Sequence, residues 1–126
     1  MSEFGWARSR GSHAQRRGLR RGEWYRVLAE PGDEWVLLEV NQLEVRITRE
    51  HVLVRPEPPS QWSVVHLTPE EAAVEARKHG HANDEAHRTY LVCPGCHVRL
   101  HVADRPNERR CELCGRNRRV DWSDIA

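Results

Sequence analysis

Cys93-Pro94-Gly95-Cys96 and Cys111-Glu112-Leu113-Cys114 stand fourteen residues apart. Each pair can close into a tight knuckle that presents two thiolates from one turn. Two facing knuckles then supply the four soft ligands that a tetrahedral zinc ion prefers. The separation falls just below the usual range for this pattern and still suits one hairpin bringing the knuckles together. Between them, Val98, Leu100 and Val102 alternate with His97, Arg99 and His101, the period of a half-buried strand. Asp104-Arg105-Pro106-Asn107 supplies turn chemistry, and Glu108 to Arg110 lead back to the second pair. Gly115 directly follows Cys114, where a knuckle needs a positive φ that glycine reaches easily. Arg118 to Trp122 reads as a third strand.

Four cysteines leave a tetrahedral ion no open position, whereas a catalytic zinc keeps one for water. The expected cofactor is therefore a structural Zn2+ held by Cys93, Cys96, Cys111 and Cys114. In so small a module it would supply on the order of 10 kcal/mol of folding free energy. Residues 89–122 resemble the zinc-ribbon superfamily of transcription factors, polymerase subunits and ribosomal proteins, with each of the four cysteines at a ligand position. Transcript-cleavage factors in that superfamily carry adjacent acidic residues at the hairpin tip. Here Arg105, Pro106 and Asn107 separate Asp104 from Glu108, so the resemblance does not extend to that chemistry.

Other uses of the cysteines fit less of the sequence. Cys93-Pro94-Gly95-Cys96-His97 matches a c-type haem attachment motif. That reading leaves Cys111 and Cys114 unexplained, requires export, and finds only Met1 as a methionine. Rubredoxin-type sites use similar knuckles with longer, more aromatic loops between them, and iron suits the same four thiolates. Two disulfides would suit a secreted chain, but the first twenty-two residues hold six arginines and no apolar core. His97 and His101 are expected beside the metal or at the surface rather than as ligands.

The remaining sequence divides by charge. The 126 residues carry a net charge of +1, distributed as +5 over residues 1–22, −4 over 23–60, −2 over 61–89 and +2 over 90–126. Nineteen of the twenty basic residues are arginine, a bias that a GC-rich genome explains as well as selection does. Residues 1–21 read as a disordered basic arm, in which Arg16, Arg17, Arg20 and Arg21 could contact phosphates. Arg10-Gly11-Ser12-His13 resembles a cloning junction, and Trp6 is the arm residue most costly to leave exposed.

Residues 22–55 read as short strands: Trp24 to Leu28, Trp35 to Val40, Leu43 to Thr48 and Val52 to Val54. Pro31-Gly32 suits a type II turn, Asn41-Gln42 a tight connection, and Arg49-Glu50-His51 a single helical turn. This order resembles a Tudor-like or Src-homology-three-like small β-barrel. The segment is short for one, so Trp62 to Leu67 is a candidate to complete the sheet. Trp24, Tyr25 and Trp35 could form an aromatic binding surface, although at least two of these rings are expected in the core.

Residues 56–61 form a Pro-rich linker, followed by a strand, a helix and a His-rich loop over 62–88 and the zinc ribbon over 89–126. Thr68-Pro69-Glu70-Glu71 is a capping box with proline at the first helical position, and Gly80 ends the helix. His79, His81 and His87, around Asn83-Asp84-Glu85, read as a solvated polar loop. The fold class is thus mostly β with one short helix, a small barrel preceding a four-cysteine zinc ribbon.

The sequence has no nucleophile elbow and no phosphate-cradling glycine loop, so neither an enzyme nor a small-molecule substrate is expected. With mean hydropathy −0.79 and no long apolar run, neither is a membrane partner, and the expected location is cytoplasmic. The expected function is an adaptor that binds nucleic acid or a nucleic-acid machine, through the arm and through Arg99, Arg109, Arg110, Arg116, Arg118 and Arg119. The alternative is a protein-interaction module using the ribbon and the barrel surface at Trp24 and Trp35.

Overall fold

A computed structural model describes residues 4–80 and 88–126. The chain divides into two units, Met1–Pro59 and Ser60–Ala126. Among the described residues it is mostly β, with one helix longer than two turns and curled sheets that fit a small barrel.

The first unit is a five-stranded sheet in the order β4-β3-β2-β1-β5. Its strands are β1 (Trp6–Ser9), β2 (Trp24–Ala29), β3 (Trp35–Val40), β4 (Leu43–Thr48) and β5 (Val52–Arg55), with a 3-10 turn at Arg49–His51. The first half of β2 pairs with β1 and its second half with β3, with a register shift between Val27 and Ala29. That bend lets one strand serve both halves of the curl. Val40 lies opposite Leu43, and the two residues between them, Asn41 and Gln42, both take positive φ, as a tight right-twisted hairpin requires. Gly32 stays outside the left-handed region, so the type II turn at Pro31-Gly32 is not formed.

The disordered arm is the main correction. Trp6–Ser9 is the strand between β2 and β5, and Ser12–Arg16 forms the short helix α1. Ala7, Ala14 and Leu19 are buried with Val27, Val36, Leu38 and Ile47. The strand that completes this sheet is therefore β1 and not Trp62 to Leu67. Composition misled because Arg8 behaves as a core residue. Only 5% exposed, it lies over the Trp24 ring at 4.8 Å, and Arg55 lies 5.2 Å from the same ring. An arginine stem packs like an aliphatic chain while its guanidinium stacks on an indole. Gly5 is required as well: its φ is +94°, and a Cβ there would strike the Arg55 carbonyl. The loop after α1 is pinned by Tyr25, whose hydroxyl accepts from Arg20 N–H at 2.7 Å and donates to Glu23 at 2.7 Å.

The second unit is a sheet in the order β8-β7-β6-β10-β9. It comprises β6 (Trp62–His66), β7 (Thr89–Val92), β8 (Arg99–His101), β9 (Glu108–Arg110) and β10 (Asn117–Ile125), with the helix α2 at Pro69–His79. Thr68 and Glu71 exchange the two hydrogen bonds of the capping box at 2.9 and 3.1 Å, and Gly80 ends α2 in the left-handed region. Two expectations fail in this unit. The hairpin joining Val98–Val102 to Glu108–Arg110 does not form, because β8 and β9 are the outermost strands. Each knuckle is instead the turn of its own hairpin, β7 to β8 and β9 to β10. Nor is the four-cysteine unit confined to residues 89–126: β6 lies at the centre of its sheet, antiparallel to β7 and parallel to β10. Trp62, Ser63, Val64 and Val65 are all buried, the continuous burial of a strand covered on both faces.

A folded N-terminal segment makes Leu19 a core side chain. Leu19→Ala should cost about 3 kcal/mol of first-unit stability in denaturant unfolding; a disordered arm would show no change.

Candidate metal centre

The two knuckles repeat one backbone plan. Cys93 N–H donates to Val98 O at 3.0 Å and His97 N–H to Cys93 O at 3.0 Å. In the second, Cys111 N–H donates to Arg116 O at 2.9 Å and Gly115 N–H to Cys111 O at 2.7 Å. His97 and Gly115 hold the same place in this plan, with φ of +66° and +77°. Gly115 meets the requirement at little cost, while His97 is held there against its own preference.

The sheet carries the knuckles toward each other. All four sulfur atoms lie within 4.8 Å of one another. Cys93 Sγ is 3.7 Å from Cys114 Sγ, and Cys96 Sγ is 3.4 Å from Cys111 Sγ. A tetrahedral ion with metal–sulfur bonds of about 2.3 Å needs sulfurs about 3.8 Å apart. The four cysteines are free thiols placed to bind a metal ion. Cys93 and Cys111 are buried with Trp62, Val64, Leu91, Val102 and Val120, while Cys114 is exposed.

The thiols are not equivalent. Burial, with the nearby Cys111 and Cys93 sulfurs, pushes Cys96 up to about 12. At Cys111 burial also raises the value, but the N–H groups of Cys114 and Leu113 and the thiols of Cys96 and Cys114 outweigh it and bring it down to about 7. Backbone N–H groups aimed at a sulfur favour its thiolate. Metal binding must displace the remaining protons, so affinity falls as pH is lowered. Arg118 lies against the first knuckle. A Cβ on Gly95 would sit 3.0 Å from Arg118 Nη2 and 3.9 Å from Cys93 Sγ, so a side chain there would have to move the Arg118 guanidinium. Arg118 Nη1 also donates to Ser60 O at 3.5 Å. A guanidinium here would offset part of the double negative charge that four thiolates and a divalent ion would carry.

The other candidate residues separate into held and exposed groups. Arg99 stacks on Tyr90 at 4.7 Å, and the Arg109 carbonyl accepts from Trp62 Nε1 at 2.8 Å. Arg110, Arg116 and Arg119 are exposed on the β9–β10 hairpin. In the first unit Arg16, Arg17 and Arg20 are exposed and Arg21 is half-buried. Arg17 donates to Arg46 O at 3.2 Å, and Arg20 lies 3.7 Å from Glu23. Trp24 is buried beneath Arg8 and Arg55, and Trp35 is half-covered by Arg46 at 4.2 Å, so these rings do not form an open aromatic face. His81, His87 and residues 83–85 lie outside the described residues. Sequence reasoning missed Arg118 as a knuckle support and Trp62 as its floor; a small glycine between two cysteines was the available signal for the first.

Comparison with protein-family models, with curated proteins and with solved structures finds no match to the chain.

Nothing lies within 4 Å of a Cβ built on Gly115, so substitution there tests backbone strain alone. Gly115→Ala should weaken metal affinity by roughly fivefold in a competitive chelator titration, corresponding to about 1 kcal/mol. Unchanged affinity would show that the left-handed conformation is not needed.

Proposed function

We propose that the chain is a non-enzymatic adaptor in which a structural zinc ion, bound by Cys93, Cys96, Cys111 and Cys114, fixes a ribbon unit that docks on nucleic acid or a nucleic-acid assembly. One observation carries the reading. The second knuckle and its two strands present Arg110, Arg116 and Arg119 to solvent on a hairpin whose turn is anchored by two metal ligands. Arginine forks on a rigid frame suit phosphate oxygens, because their planar geometry is fixed before contact. Zinc is favoured among divalent ions by four thiolates in tetrahedral reach, and a closed ligand set assigns it to structure. The cysteines are committed to the ion and are not available as nucleophiles.

Association with duplex DNA and with structured RNA, followed by fluorescence anisotropy across a salt series, tests this reading. Three phosphate contacts predict that log affinity falls with log salt at a slope of roughly −2 to −3, and each Arg→Ala change at Arg116 or Arg119 should make it shallower by about 1. Absence of binding, or binding insensitive to salt, would refute the nucleic-acid reading.

A further inference from the structure

Trp62 stands at the base of a groove of about 390 Å3 whose walls come from the two outermost strands of the second sheet. Val98, Arg99 and Leu100 line one side; Arg109, Arg110 and Leu113 line the other. The curl of the sheet thus brings the outer edges of β8 and β9 to one opening. Among the described residues neither edge has a further strand beside it.

The pairing pattern shows what those edges offer. Cys93 N–H to Val98 O and Val102 N–H to Thr89 O fix which residues of β8 bond to β7. With Leu100 opposite Leu91 and Arg99 opposite Val92, antiparallel alternation turns the backbone N–H and C=O of Arg99 away from β7. On β9, Cys111 N–H to Arg116 O and Val120 N–H to Asn107 O likewise turn the Arg110 backbone away from β10. Side chains alternate too. Leu100 packs with Trp62 in the core cluster, while Arg99 points to the opposite face and stacks on Tyr90. Leu113, at the tip of the second knuckle, is 71% exposed.

We propose that this groove binds an extended peptide of alternating acidic and apolar residues, added as a further strand along β8. Its backbone pairs with Arg99, its apolar side chains pack on Leu100, Leu113 and Trp62, and its carboxylates face Arg99 and Arg110. Unpaired strand edges take up such segments through main-chain hydrogen bonds, with alternate side chains read by pockets. Charge selects the acidic partner: three arginines line the groove against the single carboxylate of Glu112. The inference goes beyond the nucleic-acid reading, with which it shares Arg110, and the nucleic-acid competitor in its test tells the two apart.

The test uses the metal-loaded full chain and a short blocked peptide of alternating Glu and Val. On saturation, amide hydrogen exchange at Arg99 should slow by about tenfold or more, as a new main-chain bond requires. Arg110→Glu and Leu113→Glu, both at exposed positions and checked for unchanged metal content, should each weaken binding by about tenfold. A peptide with Pro at its central position keeps the charge, loses a backbone donor, and should not bind. Failure of the Glu/Val peptide to bind would overturn the proposal, as would equal binding by the Pro peptide or by both variants. So would stronger protection of the Arg99 amide by a Lys/Val peptide or by oligothymidylate.

Discussion

Four cysteine sulfurs lie within 4.8 Å of one another, a spacing at which four thiolates would repel strongly without a cation among them. That constraint organises the second unit. Each knuckle is the turn of a hairpin, so gathering the sulfurs also gathers β7 with β8 and β9 with β10. β6 then joins the two hairpins into one sheet and places Trp62 and Val64 beside Cys93 and Cys111. An ion at this point would be tied directly to the core, and its binding free energy would be largely folding free energy.

The first unit solves a different problem, that of closing a small core with few large aliphatic side chains. Arginine–aromatic stacks replace some of the missing bulk. Arg8 and Arg55 both lie against Trp24, and Arg46 covers Trp35. Several arginines that would count toward a basic surface are thereby committed to packing. The exposed arginines of the β9–β10 hairpin are a smaller and more local set than composition suggests, and their neighbours Glu108 and Glu112 limit the field they produce.

The clustering of the four cysteines, the capping box of α2, the strands β2 to β5 and the tight turn at Asn41-Gln42 were legible because each rests on local chemistry. Spacing, periodicity or turn preference decides them within a few residues. β1 was not legible: Trp6-Ala7-Arg8-Ser9 has no alternation, and its burial comes from partners at Trp24 and Val52 to Arg55, distant in sequence. The two knuckle hairpins were misjoined for a related reason. Asp104-Arg105-Pro106-Asn107 has turn chemistry, yet turn chemistry cannot say whether the flanking strands pair with each other or with strands farther away. The central place of β6 depends on contacts from Trp62 to residues near 109 and 120, which no local window contains. The positive φ of His97 could have been inferred from Gly115 once the two knuckles were aligned.

The central claim is that a metal ion at the four cysteines holds the second unit together. Native mass spectrometry with amide hydrogen exchange, before and after a strong chelator, addresses it most directly. The account predicts one zinc ion per chain and, on its removal, fast exchange through β6 to β10 while β1 to β5 stay protected. A chain that carries no metal, or that keeps the protection of β6 to β10 after its metal is stripped, would contradict it.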